Sequence, residues 1–252
     1  MRNIFLLIVI ILITPRMIQA ADIYLSVAAS LREMMADAAQ RFEAIHPEHR
    51  VVINSSSSGV LARQIKAGLP VDIFVSANPQ WMTFLVEHKK VSADQVINWA
   101  TNQMVLVGRG DKQIRLHEIG GLGRVALGSP DNVPAGGYAK ALLSRANLYA
   151  DLERQRRLVF SKDVRQALLY AEQGVVDVAI VYASDVRLLK EAAVLLTPDP
   201  ALQPDIRYQM ALTADGERSM PAHRLLGLLT STSGAELLAT YGLTPLQLTK
   251  VN

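Results

Sequence analysis

The sequence predicts an α/β protein of two lobes, each a mostly parallel sheet flanked by helices, with a ligand cleft at the hinge between them. Three observations carry this reading. Short β-branched runs alternate with segments whose apolar residues recur at helical spacing, in the order β-α-β-α-β-α. The scheme then repeats in the second half of the chain. Between the two halves, residues 96–107 read as one long extended segment that leaves one unit for the other, and residues 197–204, with three prolines, read as the way back. The predicted division assigns residues 21–102 and 201–252 to the first lobe and 103–200 to the second.

The first twenty residues stand apart. Arg2 precedes an unbroken apolar run from Ile4 to Ile13, Pro15 breaks it, and Ile18-Gln19-Ala20 puts a small residue before a cut. This reads as a signal peptide over residues 1–20, cleaved after Ala20, which makes the mature chain a soluble, exported, periplasmic protein. The run is too short to span a bilayer, which takes about 20 residues. With no cysteine anywhere, lipid anchoring, a disulfide framework and a thiolate metal site are all excluded. Cleavage removes Arg2 and Arg16 and no acid, so 26 basic residues become 24 against 23 acidic ones, a formal charge of +1. That near-balance, without a basic block, argues against nucleic acid as a partner.

Residues 22–29 are a strand, with Ser30 as N-cap of a helix whose apolar face is Leu31, Met34, Met35, Ala38, Phe42 and Ile45, stopped by Pro47. His46 and His49, flanking that proline, read as surface residues. Residues 50–53 form a second strand, followed by the turn Ser55-Ser56-Ser57-Ser58-Gly59 and a helix ending at Gly68. Residues 71–77 are a third strand, and Asn78-Pro79 opens a helix with Trp81, Phe84 and Leu85 turned inward. In the second unit, residues 124–128 form a strand and 129–135 a loop, with a helix from Gly136. Residues 158–160 are a short strand, and Ser161-Lys162-Asp163 opens a helix with Val164, Ala167, Leu168 and Ala171 on one face. Residues 175–182 are a buried strand ending in Tyr182. A strand over 206–212 and helices from Ser219 onward close the chain.

Four strand-to-helix turns, at Ser30, Ser58, Ala135 and Val164, then face the cleft. A helix start carries N–H groups without intrahelical acceptors and a partial positive charge. Four of them converging on one cleft form a place to hold an oxyanion. Taken singly, each has a plainer reading: Ser30 as a helix cap, Ser55–Ser58 as a solvated turn, Tyr182 as packing, Asp163 as a first-turn charge, and Asp72 and Asp185 as structural or capping groups. A hydrolase built on Ser30 or Ser58 with His223 lacks a Gly-x-Ser-x-Gly elbow, and no His pair or Glu-x-x-His offers a metal site. His223 otherwise reads as structural or solvated.

Several segments also carry a family likeness: Ala28-Ala29-Ser30-Leu31; residues 61–77, from Leu-Ala-Arg-Gln-Ile to Phe-Val-Ser-Ala; Val133-Pro134-Ala135-Gly136-Gly137-Tyr138; Asp163-Val164-Arg165; and Gly174 with Ile180-Val181-Tyr182. Over nearly the whole mature chain they resemble the periplasmic molybdate-binding proteins of ABC importers. The resemblance implies the two-lobed periplasmic-binding-protein fold and a ligand, molybdate or tungstate, rather than a cofactor. It implies a site made of Ser30, Ser58, Ala135, Val164 and Tyr182, with Ser57 as the alternative register in the serine run. It also implies a membrane ABC permease as partner, a monomeric chain and no enzymatic activity. The metal would be held as an oxyanion, with no protein atom on molybdenum. Molybdate at neutral pH has four acceptor oxygens and no proton, so it suits a site of donors, which all five positions supply; hydrogen phosphate would need an acceptor as well. Sulfate is equally a donor-seeking dianion and stays open as the alternative ligand, as does an exported oxyanion sensor.

Overall fold

The structure is a computed structural model and describes residues 21–110 and 112–250; the signal-peptide reading of residues 1–20 lies outside them. In β1 (Ala21–Ala28), Ile23 and Leu25 are buried while Asp22 and Tyr24 face water, and from Ser26 onward both faces are covered. Beyond it, α1 (Arg32–Ile45) turns Met34, Met35, Ala38, Ala39 and Phe42 into the core. Next, β2 (His49–Ser56) lies parallel to β1 in a register that sets Ala28 beside Ser56. After α2 (Ser58–Lys66), β3 (Ile73–Ser76) lies parallel on the other side of β1, with Val27 beside Val75. The carboxyl ends of β1, β2 and β3 therefore reach one edge together. From there α3 (Pro79–Glu87), capped by Asn78 through the Gln80 N–H, leads to β4 (Ile97–Thr101).

The chain enters the second sheet with β5 (Met104–Arg109). It continues through β6 (Val125–Gly128), α4 (Pro134–Arg145), α5 (Tyr149–Arg154), β7 (Leu158–Ser161), α6 (Val164–Glu172), β8 (Val178–Tyr182) and β9 (Ala192–Leu196). It returns with β10 (Arg207–Leu212), α7 (Met220–Leu229), α8 (Thr232–Thr240) and β11 (Thr244–Lys250). The sheets run β11-β4-β10-β3-β1-β2 and β7-β6-β8-β5-β9. Here too the parallel strands end at one edge, since Gly128 pairs with Ser161 on β7 while Val125 pairs with Val178 on β8.

Both sheets are mixed rather than mostly parallel. The β-α-β strands pair parallel, as a right-handed crossover requires. The strands that carry the chain between units, β4, β5 and β10, pair antiparallel with their neighbours. The expected single strand over 96–107 is two strands broken at Asn102-Gln103, where the Asn102 side chain accepts from the Gln103 N–H. Two side chains fasten the crossings: the Gln203 amide pairs with both the N–H and the C=O of Met104, at 2.9 Å each, and Thr101 Oγ1 donates to the Ile206 carbonyl.

Other local expectations are corrected. Ser30 is not an N-cap: a short 3₁₀ turn, Ala29–Leu31, comes first, and Leu31 holds the cap position of α1 with no side-chain bond. Ser55 and Ser56 belong to β2, so the turn is tighter than the serine run suggested. Trp81 is only half-buried, beneath the Arg63 guanidinium; the core tryptophan is Trp99, whose Nε1 donates to the Leu229 carbonyl at 3.0 Å. His49 is buried against Phe42, not on the surface. The last described element, β11, is an edge strand and contains Pro245, a residue that sheets confine to such edges.

Candidate functional site

The carboxyl ends of six strands meet at one small cavity between the sheets, the position at which open α/β sheets hold ligands. Its lining includes all five residues expected from sequence: Ser30, Ser58, Ala135, Val164 and Tyr182. Ser57 lines it too, with Ala28, Ala29, Ala77, Val133, Pro134 and Asp163.

Each donor is placed by local chain chemistry. Ser58 is the first residue of α2, and Val164 the first of α6. Ala135 is second in α4, after a proline that is preset for a helix start. The first N–H groups of a helix have no carbonyl four residues back to bond. Among the described residues, the N–H groups of Ser30, Ser58, Ala135 and Val164 have no acceptor. The hydroxyls divide into two kinds. Ser58 Oγ accepts from the Ala77 N–H at 3.1 Å, which leaves its own proton to donate, while Ser30 Oγ shares a 3.2 Å bond with the Tyr208 hydroxyl. Ser57 Oγ is buried with no partner among the described residues, and the Tyr182 hydroxyl is buried beside Tyr208 without an aligned hydrogen bond. A buried hydroxyl left unpaired costs about 1–3 kcal/mol; of the five such hydroxyls among the described residues, Ser57 and Tyr182 line this cavity and are placed to meet an acceptor inside it. Burial also pushes the Tyr182 hydroxyl well above its usual pKa, so it is a donor at neutral pH.

Asp163 is the one ionisable carboxylate among the lining residues, and it serves as N-cap of α6, its Oδ1 accepting from the Gln166 N–H at 2.9 Å. Behind the lining lies a polar layer that sequence reasoning missed. Asn102 donates to Ser184 Oγ at 2.8 Å and to the Tyr208 hydroxyl at 3.2 Å, and Tyr208 returns to Ser30. Asp185, read as a structural group, accepts from the Tyr182 N–H and sits 2.8 Å from Arg165, an ionic approach without an aligned N–H. The residue types gave no signal for this layer, because its members come from Ser30, Asn102, Arg165, Ser184, Asp185 and Tyr208, far apart in the chain. His223 of the hydrolase alternative is exposed on α7, where its ring bonds the Glu217 carbonyl, and it does not line the cavity.

Burial raises the Asp185 pKa from 3.8 to about 6, with Arg165 pulling the other way. A folded-state pKa above the unfolded one means that stability from this group is full below about 4 and lost as pH rises through about 6. Asp185→Asn is therefore expected to gain on the parent protein as pH rises across that window. Thermal midpoints of both proteins at pH 4, 5, 6 and 7 check the sign; a constant difference would show that Asp185 titrates as it does in the unfolded chain.

Comparison with known proteins follows the same lines. A family model described as "Bacterial extracellular solute-binding protein" matches residues 23–244. The molybdate-binding protein ModA of Escherichia coli (strain K12) is 31% identical over 226 residues, which span 86% of this chain and 86% of ModA. Among solved structures, the periplasmic molybdate-binding protein of Azotobacter vinelandii superposes with a TM-score of 0.80 at 20% identity, covering 89% of this chain and 100% of that one. The sulfate-binding protein SubI of Mycobacterium tuberculosis superposes with a TM-score of 0.75 at 16% identity, covering 90% and 87%. At those identities the two structures speak for the fold alone.

Proposed function

This chain belongs to the bacterial extracellular solute-binding proteins, and from that premise we propose that it captures molybdate, and tungstate with it, for a membrane ABC permease. One observation carries the reading: four N–H groups without acceptors and two buried hydroxyls line one cavity between the sheets. Apart from Asp163, whose carboxylate caps α6, the polar groups of the site are donors, and a proton-free tetrahedral dianion is the ligand that suits them. Its charge would be met by helix-start dipoles rather than by a cation, since no Lys or Arg is among the lining residues. The residues of the cavity bind and desolvate; none is paired as nucleophile and base. Open lobes would admit the anion onto one set of N–H groups and close to complete the cage, and the closed form is what a permease would read. The ModA relatives support molybdate, and sulfate, equally a donor-seeking dianion, is the second reading.

Thermal unfolding with molybdate, tungstate, sulfate and phosphate in turn tests the proposal. A large upward shift with the first two and little with the others is expected, because a ligand that binds only the folded form stabilises it. An equal shift with sulfate would favour the second reading, and no shift with any anion would exclude an oxyanion site. Tyr182→Phe has opposite expected effects in the two states. Deleting an unpaired buried hydroxyl should leave the ligand-free protein as stable or more so, while affinity falls by about tenfold, or roughly 1.4 kcal/mol, for the lost bond to a charged ligand. Calorimetric titration beside a ligand-free melt separates the two.

A further inference from the structure

Resting on the oxyanion reading above, we propose that Arg165 is a positioning residue: it turns the Ser30 N–H into the cavity, and it does so only when the lobes are closed. Arg165 is the second residue of α6, on the second sheet's side, but its side chain crosses to the first. Its Nε donates to the Ala29 carbonyl at 3.1 Å, and one Nη donates to the Ser30 carbonyl at 2.8 Å and to Glu33 at 2.5 Å. Its other Nη lies 2.8 Å from Asp185, on its own side of the cleft.

The effect on the site follows from the geometry of one peptide unit. Ala29 C=O and Ser30 N–H belong to the same planar trans peptide, so they point in opposite directions. A guanidinium holding the carbonyl from behind aims the N–H away from itself, and that N–H is one of the donors without an acceptor. The positive charge behind the peptide also polarises it toward stronger donation at the cavity side. Arg165 follows Val164 directly, so the helix start that supplies one donor also carries the side chain that orients another across the cleft. The planar fork is required, since it bonds two successive carbonyls and a carboxylate at once; a lysine ammonium brings the charge without that geometry. Burial supports the assignment: Arg165 is 15% exposed, its Asp185 partner is fully buried, and Glu33 is exposed enough to let go when the lobes part.

The test compares wild type, Arg165→Lys and Glu33→Ala. Each is titrated with molybdate, its dissociation followed by stopped flow, its ligand-free melting temperature recorded, and the Ser30 amide proton followed by NMR on molybdate addition. Arg165→Lys is expected to lose tenfold or more in affinity, mainly through faster dissociation, with a smaller Ser30 amide shift and an unchanged ligand-free melt. Glu33→Ala, which keeps both carbonyl bonds and leaves Asp185 untouched, is expected to lose only a few-fold. Affinity, dissociation rate and amide shift within twofold of wild type in Arg165→Lys would overturn the positioning role alone. An affinity loss matched by a lower ligand-free melt, with Glu33→Ala neutral, would assign Arg165 to lobe stability and overturn it too. Absence of binding by wild type with molybdate, tungstate and sulfate alike would overturn the oxyanion reading and this role with it.

Discussion

Replacing Val164 by proline is expected to lower molybdate affinity by about a hundredfold while leaving the fold in place. The position suits the exchange. Val164 is the first residue of α6, where proline is tolerated because that N–H has no intrahelical partner. The preceding residue, Asp163, has φ −158° and ψ 172°, the extended conformation that a following proline requires. The substitution therefore deletes one donor and puts a ring carbon where a ligand oxygen would sit. A bond to a charged partner contributes about 1.5–3 kcal/mol, and the steric term adds to it. Val164→Ala keeps the N–H and should bind within a few-fold of the parent. Titration of both variants, with circular dichroism as the fold check, decides the matter. Equal affinities would remove the Val164 N–H from the site.

Gly59→Val is expected to hold the lobes apart. In this structure the Gly59 N–H donates to the Asn132 carbonyl across the cleft at 3.2 Å. A Cβ at position 59 would lie 2.5 Å from that carbonyl oxygen and 2.6 Å from the Trp81 ring. Backbone at that distance does not yield cheaply, and overpacking of this kind costs about 1–3 kcal/mol, or up to about a hundredfold in any property that needs the closed form. Small-angle scattering with and without molybdate provides the measurement. The parent protein should contract on binding, whereas Gly59→Val should show little contraction and weak affinity. Normal contraction would mean that the loop at Asn132 gives way instead.

Both predictions rest on backbone groups, and this explains why so much of the site was legible from sequence. A helix start is a local event: Asp163 caps α6, and Pro134 presets the start of α4 two residues earlier than the expected Gly136. The first N–H groups of each helix lack intrahelical acceptors whatever surrounds them. Where a side chain was read as a local actor, the reading was less secure. Ser30 has the residue type of an N-cap, but its hydroxyl goes to Tyr208, 178 positions away. Trp81 has the composition of a core residue, yet Trp99 holds the core, because burial depends on which face of which element the sheet covers.

By itself, the sequence determined the α/β class, the two rounds of strand and helix, four turns that line the cavity and the likeness to molybdate-binding proteins. These follow from short-range periodicity and from backbone groups that adjacent residues control. Tertiary structure alone decided that the connecting strands run antiparallel and that Ser57 and Tyr182 are left unpaired inside one cavity. It also decided that Arg165 reaches across to Ala29, Ser30 and Glu33. A side chain's partner is set by strand order and by closure of the lobes, which bring together residues more than 130 positions apart, beyond the reach of any local pattern.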